Sequence, residues 1–249
     1  MSAKMQTAVV TGGASGFGAE VARALHRAGF RVIVTDLDAA AAAALAGSSD
    51  PGGETARAEV LDVGRPADLQ RVLDGTVARF GSVEVLVNNA ARTAAAPLLE
   101  IDPAEFNAVM ATNAGGTFAG SQIFGRHFKA RGYGRIVNIA SLAGQNGGTA
   151  TGAHYAASKG AILTLTKVFA RDLAPFGVTC NAVAPGPMDT PMVRAVIAPE
   201  RMAATLAGIP VGHLGDPAFV AELVVLLAGP GAGFVTGACW DANGGLFMR

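Results

Sequence analysis

A tyrosine and a lysine stand four residues apart in the segment Tyr155-Ala-Ala-Ser-Lys159. Residues four apart share one face of a helix, so the Lys159 ammonium can lie beside the Tyr155 phenol. A neighbouring positive charge favours the phenolate and makes the tyrosine a stronger acid. The alternative is an exposed pair on a helix surface. Because the chain contains only two tyrosines, the spacing favours an acid–base function.

A glycine-rich segment, Thr11–Gly18, lies between the first predicted strand, Thr7–Val10, and a helical pattern. Gly12 can adopt backbone angles that other residues avoid, Gly16 lets the chain approach a pyrophosphate, and Gly18 permits close packing of helix on sheet. Amides at the N-terminus of the helix would then hold phosphates. The segment therefore predicts a dinucleotide-binding loop, with a plain structural turn as the alternative.

A carboxylate, Asp36, ends the second predicted strand about twenty residues past the glycine loop. It can accept hydrogen bonds from the adenosine ribose hydroxyls, and its charge repels a 2′-phosphate. Ser15 and Leu37 leave neither Arg nor Lys at the two places best able to neutralise such a phosphate. We therefore expect NAD(H) in preference to NADP(H). The alternative is that Asp36 caps the following helix, a role that Asp38 can also fill.

The elements that must position these residues follow from the hydrophobic pattern. Short β-branched runs alternate with amphipathic stretches, which is typical of repeated βαβ units. This predicts an α/β fold, a Rossmann-type doubly wound parallel sheet of about seven strands with helices on both faces. The predicted strands are Thr7–Val10, Arg31–Thr35, Ala56–Leu61, Val83–Val87, Arg135–Ile139, Val178–Val183 and one near Ala238–Asp241. We expect residues 1–249 to form a single dinucleotide-binding and catalytic domain.

Composition excludes several classes of partner. The formal net charge is zero, the isoelectric point is near 6.9 and no run of basic residues occurs, so neither nucleic acid nor an anionic membrane is expected. The segment Met1–Gln6 leads directly into a strand and leaves no room for a signal peptide, and no apolar run is long enough for a bilayer. We expect a cytoplasmic protein that acts on a small-molecule substrate.

Metal chemistry is not expected from the cysteine and histidine positions. Cys180 and Cys239 have neither metal-like nor redox-like spacing and lie in predicted strands, so we interpret them as buried free thiols. The histidines are scattered over different segments, without a carboxylate–histidine cluster. His154 adjoins Tyr155, but consecutive helix residues point about 100° apart, so it is expected to face a pocket wall, solvent or a subunit contact.

In order and spacing, the motifs resemble those of the short-chain dehydrogenase/reductase family from Thr7 to Gly245, nearly the whole chain. The segments that carry the resemblance are Thr11–Gly18, Asp62-Val63, Asn88-Asn89-Ala90-Ala91, Tyr155–Lys159 and Pro185–Thr190. Ala91 departs from the family pattern, which has glycine there, and narrows the backbone options beside the cofactor. The resemblance implies hydride transfer between a nicotinamide cofactor and an alcohol or ketone.

The resemblance also implies two sets of site residues. The catalytic residues that it implies are Asn113, Ser141, Tyr155 and Lys159. The cofactor-binding residues that it implies are Gly12, Ser15, Gly16, Phe17, Gly18, Asp36, Asp62, Val63, Asn89, Tyr155, Lys159, Pro185, Gly186, Met188 and Thr190. Neither set contains a metal ligand.

The chemistry assigns a role to each catalytic residue. Tyr155 takes the hydroxyl proton when an alcohol is oxidised and returns it when a ketone is reduced. A phenol with a reference pKa of about 10 is mostly protonated at neutral pH, so Lys159 is needed to stabilise the anion. The resemblance implies that Lys159 also binds the nicotinamide ribose hydroxyls. Ser141 follows a strand and can donate a hydrogen bond to the substrate oxygen, although a turn serine is the alternative.

Asn113 stands within a long helical pattern from Pro103 to about Lys129. Asparagine is mildly unfavourable inside a helix, so we predict a local kink there. The resemblance implies that this residue helps to hold a water chain that leads to Lys159. An ordinary surface asparagine is the alternative.

Within the family, the chain looks most like 3-oxoacyl carrier-protein reductases and related alcohol and hydroxyacyl dehydrogenases. Those reductases typically use NADPH, and their carrier docking needs a basic patch, for which this chain offers mainly Lys129, Arg131 and Arg171. We therefore predict an NAD(H)-dependent oxidoreductase that interconverts a secondary alcohol and a ketone, either hydroxyacyl or small and apolar. The second hypothesis is a 3-oxoacyl carrier-protein reductase, and the third is a non-catalytic dinucleotide-binding regulator.

Substrate contacts are expected from three segments outside the family motifs, Ala91–Pro97, Leu142–Gly152 and Met188–Leu206. Their side chains are mainly apolar with a few amides, among them Gln145. The C-terminal segment Gly237–Phe247 resembles the last strand through which relatives pair their subunits. A homotetramer is the expected assembly.

Overall fold

Seven short runs of mainly apolar residues form one parallel sheet in the computed structural model, which describes residues 5–93, 96–148, 152–190 and 199–249. The strands are β1 Thr7–Thr11, β2 Arg31–Asp36, β3 Ala56–Val60, β4 Val85–Asn88, β5 Gly134–Ile139, β6 Val178–Pro185 and β7 Cys239–Ala242. Their order across the sheet is β3-β2-β1-β4-β5-β6-β7, which is that of a doubly wound sheet. The predicted fold class is confirmed, and each predicted strand is present with its ends shifted by at most two residues.

Helices connect the strands and cover both faces of the sheet. They are α1 Gly16–Arg27, α2 Ala39–Ser49, α3 Pro66–Phe80, α4 Pro103–Met110, α5 Gly116–Arg131, α6 Ala143–Asn146, α7 Ala153–Leu173, α8 Pro199–Ala207 and α9 Pro217–Ala228. Apolar side chains of α1, α2 and α9 pack on one face, and those of α3, α5 and α7 pack on the other. Within the described ranges, no helix has the length and hydropathy needed to cross a bilayer.

Alternate residues of each strand supply the two halves of the core. Val10 and Val34 contribute to the half beneath α1, whereas Val9 and Ile33 contribute to the half beneath α3 and α5. Each buried Val or Ile side chain stabilises the fold by about 1.5–3 kcal/mol relative to an exposed one. Because β4 is buried on both faces, Val85–Asn88 lacks the polar–apolar alternation of a half-exposed strand.

Parallel pairing brings the carboxyl ends of the strands to one edge of the sheet. Five predicted site residues end a strand or follow its end by at most two residues. They are Gly12 on β1, Asp36 on β2, Asn89 on β4, Ser141 on β5 and Pro185 on β6. The strand order reverses between β1 and β4, and ligands of doubly wound sheets bind at such a reversal. The order and direction of the strands therefore bring these five residues to one edge of the sheet.

Candidate active site

The carboxyl edge of the sheet opens into a cleft of about 630 Å³. Its wall includes Ser141 and every predicted cofactor contact except Thr190; those contacts are Gly12, Ser15, Gly16, Phe17, Gly18, Asp36, Asp62, Val63, Asn89, Tyr155, Lys159, Pro185, Gly186 and Met188. Neither Thr190 nor Asn113 lines the cleft. The glycine loop and the Tyr–Lys pair therefore share a single cavity.

Sequence reasoning missed several residues on the cleft wall. They are Leu37, Leu61, Ala90, Thr112, Ile139 and Ala140. The cleft wall also contains Ala91, Arg92 and Thr93, which belong to the segment Ala91–Pro97 from which substrate contacts were expected. Most of them adjoin the carboxyl end of a strand or a predicted site residue. That adjacency is the signal that could have identified them, because a parallel sheet places its binding residues there.

The glycine loop has the geometry of a phosphate cradle. Gly12 and Gly16 have positive φ values of 59° and 51°, which favour glycine. A Cβ added at Gly18 would lie 2.0 Å from the Gly12 carbonyl oxygen, so only glycine fits there. Ser15 makes no side-chain capping bond to α1, so the first amides of this helix keep their capacity to bind an anion. These residues fit a dinucleotide phosphate.

Thr11 and Asn89 join the ends of β1 and β4 beneath the loop. The Asn89 Nδ2 group donates to the carbonyl oxygens of Thr11 and Gly12, at 3.1 and 2.8 Å. The Thr11 hydroxyl oxygen accepts the backbone N–H groups of Asn89 and Ala90, both at 3.0 Å. The Asn89 amide nitrogen thus holds the loop in place, and its contact with a cofactor stays a prediction.

Replacing Gly18 by Ala is expected to weaken dinucleotide binding by about 10- to 100-fold, because the new methyl group would displace the loop and cost one or two charge-assisted hydrogen bonds. Titration of NADPH fluorescence measures the dissociation constant. The matched control is Gly75→Ala, in the interior of α3, where an added Cβ meets no atom within 4 Å. An unchanged dissociation constant in Gly18→Ala would contradict the assignment of the loop.

Asp36 anchors the glycine loop to β2. Its Oδ2 atom accepts the Ala14 N–H at 3.0 Å, and its Oδ1 atom accepts the Asp38 N–H at 3.2 Å. The capping role that the sequence left open is filled by Asp38, whose carboxylate accepts the Ala41 N–H at 2.9 Å at the start of α2. The Asp36 carboxylate is therefore engaged by the chain's own backbone on both oxygens.

Lys159 is buried at the other end of the cleft. Its Nζ atom donates to the Ile139 carbonyl oxygen at 2.7 Å and lies 5.6 Å from the centroid of the Tyr155 ring. Burial lowers the pKa of Lys159 from 10.5 to about 8. The side chain is therefore still largely charged at neutral pH and loses its charge as the pH rises past about 8.

Tyr155 experiences two opposing influences. Burial raises the pKa of its phenol above the ordinary value of 10.0, while the neighbouring Ser141 hydroxyl opposes the rise. Ser141 accepts the Ala143 N–H at 3.1 Å, which fixes its oxygen and leaves its own hydrogen free to donate. The sequence indicated only the charge effect of the lysine, and burial adds an effect of opposite sign.

Asn113 lies in a π-helix, Ala111–Gly115, that joins α4 to α5 where the sequence predicts a kink. Its Oδ1 atom accepts the Arg92 N–H at 2.7 Å, and its Nδ2 atom donates to the Arg92 carbonyl oxygen and to Ser158 Oγ, both at 3.0 Å. Ser158 in turn donates to the Tyr155 carbonyl oxygen at 2.7 Å. The buried Asn113 amide thus ties the cleft wall to the helix of Tyr155.

His154 differs from its expected placement. It is fully buried and lines neither the main cleft nor the smaller groove beside α4, and neither ring nitrogen has a hydrogen-bond partner. Full burial contradicts the expected exposure to solvent or to a subunit contact. Ser158 lies one helical turn further along the same face of α7 and contacts the π-helix, which explains the burial of this face.

The expected substrate segments are described only in part. Residues 94–95, 149–151 and 191–198 lie outside the described ranges. Gln145 was expected on the pocket wall but does not line the cleft; its Nε2 atom donates to Asp241 of β7 at 2.6 Å. Cys180 is buried and Cys239 is partly buried, and both are free thiols.

Known proteins match this chain almost from end to end. A family model described as enoyl-(acyl carrier protein) reductase matches residues 12–247. The chain is 37% identical over 248 residues to the 3-oxoacyl-(acyl-carrier-protein) reductase FabG of Vibrio cholerae, with 100% of both chains covered. It is 39% identical over 254 residues to the acetoacetyl-CoA reductase of Rhizobium meliloti and 38% over 250 residues to the 4-formylbenzenesulfonate dehydrogenase TsaC1/TsaC2 of Comamonas testosteroni, each match covering 98% of this chain and 99% of the relative.

The predicted preference for NAD(H) is wrong. Reductases of 3-oxoacyl-(acyl-carrier-protein) and of acetoacetyl-CoA, which this chain resembles, use NADPH and point to NADP(H). The prediction assumed that the Asp36 carboxylate is free to bind a ribose. Both of its oxygens accept backbone N–H groups, so its presence is explained without a bond to a ribose hydroxyl.

The family follows from the length of these matches and from the site. The family model spans the cofactor loop, the Ser–Tyr–Lys set and the last strand. The 3-oxoacyl-(acyl-carrier-protein) reductase and the acetoacetyl-CoA reductase match almost the whole of both chains and are oxidoreductases that act on CH–OH groups. The chain belongs to the short-chain dehydrogenase/reductase family.

Proposed function

We propose that this protein is an NADP(H)-dependent reductase of 3-oxoacyl thioesters, which it converts to 3-hydroxyacyl thioesters. The observation that carries the proposal is the single cleft that joins a phosphate-binding loop to Ser141, Tyr155 and Lys159. The substrate class is suggested by two relatives, which are named for 3-oxoacyl-(acyl-carrier-protein) and for acetoacetyl-CoA. Both compounds carry a ketone at the third carbon of a thioester.

Different residues of the cleft bind different parts of the dinucleotide. The amides of Gly16 and Phe17 at the start of α1 hold the phosphates, and Asp62 and Val63 border the adenosine end. Pro185 and Gly186, which line the same cleft, border the nicotinamide. When bound there, the reduced nicotinamide supplies the hydride that the carbonyl carbon receives.

Proton transfer falls to three side chains. The Tyr155 hydroxyl donates its proton to the substrate oxygen, and Ser141 donates a second hydrogen bond to the same oxygen. The buried ammonium of Lys159 stabilises the phenolate that remains on Tyr155. Asn113 contributes through Arg92 and Ser158, which its amide holds.

Initial rates of acetoacetyl-CoA reduction, measured with NADPH and with NADH, test the proposal. We expect the thioester to be reduced with a higher kcat/KM than simple ketones such as cyclohexanone, and NADPH to be the better reductant. Aldehydes and ketones without a thioester form the control panel. If the protein reduced only compounds of that panel, or reduced acetoacetyl-CoA with neither NADPH nor NADH, the thioester assignment would be rejected.

We also propose a homotetramer. Apolar side chains remain exposed on α5 and α7, where Phe118 and Val168 keep 43% and 39% of their surface. Phe118 lies 5.9 Å from Phe169, between ring centroids, so the two helices present one aromatic patch. Paired subunits would bury such a patch. Sedimentation equilibrium should give four times the mass of 25.0 kDa, and a monomer mass would rule out the assembly.

A further inference from the structure

The C-terminal tail folds back onto β7. Asn243 accepts the backbone N–H groups of Gly245 and Phe247, at 3.0 and 3.4 Å, and donates to the Phe247 carbonyl oxygen at 3.2 Å. This turn returns the last residue, Arg249, to Asp241, with Nε 2.9 Å from Oδ2 and Nη2 3.3 Å from Oδ1. The guanidinium therefore holds the carboxylate by both oxygens.

The same carboxylate reaches α6. Asp241 Oδ1 accepts the Gln145 Nε2–H at 2.6 Å, which joins two residues 96 positions apart. The Gln145 amide oxygen is buried and has no hydrogen-bond partner, and its nitrogen has only a weak second contact, with Cys239 Sγ at 3.7 Å. The bond to Asp241 is therefore the main polar restraint on this side chain.

The helix α6 contacts the segments that carry two catalytic residues, Ser141 and Lys159. Ala143, at its start, donates its N–H to Ser141 Oγ at 3.1 Å. Gly144 packs against α7 so closely that an added Cβ would lie 2.5 Å from the carbonyl carbon of Lys159. A displacement of α6 would therefore move Ser141 and press on the backbone that carries Lys159.

We propose that Asp241, oriented by Arg249, is a positioning residue that fixes α6 through Gln145 and thereby holds Ser141 and Lys159 in place for proton transfer. The proposal rests on the proposed function. Asp241 does not line the cleft, so it acts only through these intermediates. Its side chain is 21% exposed, compared with 46% for Arg249, so solvent screens the ion pair only in part.

The test compares Asp241→Asn, Gln145→Leu and Arg249→Gln with the wild-type chain. We expect kcat for acetoacetyl-CoA to fall about tenfold in Asp241→Asn and Gln145→Leu, and less in Arg249→Gln, because small misplacements of reacting groups are costly. The double variant Asp241→Asn/Gln145→Leu should be no slower than either single variant. The matched control is Asp172→Asn, which removes the more exposed pair between Arg171 and Asp172.

Two further readouts separate positioning from a loss of stability. In a Ser141→Ala background, Asp241→Asn should reduce kcat less than in the wild-type background, because the part of its effect that passes through Ser141 is already lost. Hydrogen exchange of the amides of residues 144–148 should accelerate in Asp241→Asn without a change in the exchange of β1. A lower melting temperature with unchanged kcat, or equal effects of Asp241→Asn in both backgrounds, would overturn the proposal.

Hydrogen exchange also separates this proposal from the proposed function, because it requires no substrate. If the wild-type chain reduced no thioester, the proposed function would fail, and kcat would be measured on whichever carbonyl compound it does reduce. Unchanged exchange of α6 in Asp241→Asn would show that the carboxylate does not restrain this helix. That result would overturn the positioning role whatever the substrate.

Discussion

Tyr155→Phe is expected to lower kcat by about 10²- to 10⁴-fold, the usual contribution of a positioned general acid. The substitution removes the hydroxyl that gives its proton to the substrate oxygen and keeps the ring that lines the cleft. The dissociation constant for NADPH, measured by fluorescence titration, should therefore stay within about twofold of the wild-type value. Loss of both binding and turnover would indicate a collapsed cleft and not a missing acid.

The chain provides its own control for this change. Tyr133 is the second of the two tyrosines and lies outside the cleft, where its hydroxyl accepts a hydrogen bond from Gln6 at 2.7 Å and its ring packs under Arg135. Tyr133→Phe removes the same atom from the same residue type, at a site without chemistry. It should retain wild-type kcat, and turnover retained in Tyr155→Phe would exclude the mechanism.

Lys159→Met should have opposite effects on turnover and stability. Without the ammonium, the phenolate of Tyr155 is no longer stabilised, and we expect kcat to fall by about 10²-fold or more. The folded protein should nevertheless become more stable at neutral pH, because a buried charge without a carboxylate partner is removed. The lowered pKa indicates that burying the charged Lys159 destabilises the folded wild-type chain by roughly 3 kcal/mol at neutral pH. The gain in Lys159→Met is smaller by about 1 kcal/mol, because the Ile139 carbonyl loses its hydrogen-bond donor.

The pH dependence of this stability difference has a defined sign. The pKa of Lys159 is about 8 in the folded chain and 10.5 ordinarily, so between these values the unfolded chain binds more protons. The wild-type protein therefore gains stability from this group as the pH rises through that window. The advantage of Lys159→Met should be largest below pH 8 and disappear before pH 10.5, where only the loss of the hydrogen bond to Ile139 remains.

Urea unfolding at a series of pH values measures that difference. Lys167→Met is the matched control, because Lys167 lies on the same helix and is exposed. Its free energy of unfolding should show no comparable window. A Lys159→Met protein that is less stable than wild type at pH 7 would show that the buried ammonium is better solvated than its surroundings indicate.

The strands could be predicted because parallel strands buried on both faces require continuous apolar runs. Their ends were less certain, and Val83 shows why. Its side chain is fully buried, as the sequence suggests, yet the strand begins at Val85, where pairing with neighbouring strands begins. Hydropathy predicts which residues are buried. The ends of a strand depend on which backbone groups are hydrogen-bonded, and the hydrophobic pattern does not predict that.

The site residues were predictable to the extent that they follow the ends of strands. The directions of their side chains were not. The sequence places a carboxylate at Asp36 but cannot show that its oxygens face the Ala14 and Asp38 amides. It likewise indicates a kink at Asn113 but not the hydrogen bonds of Asn113 to Arg92. It shows that His154 points away from Tyr155 but not that other elements bury its side chain. These features depend on contacts distant in sequence.

The hydrogen bonds that join Thr11 and Gly12 to Asn89 and Ala90 also affect the rate at which the dinucleotide binds. Four bonds, all between groups of the chain itself, hold the ends of β1 and β4 together. The ends of β1 and β4 are therefore already ordered in the folded protein, and binding of the dinucleotide does not have to order them. Association at this half of the cleft depends mainly on diffusion and on the orientation of the arriving molecule. Variants of the loop will then differ chiefly in how fast the dinucleotide leaves.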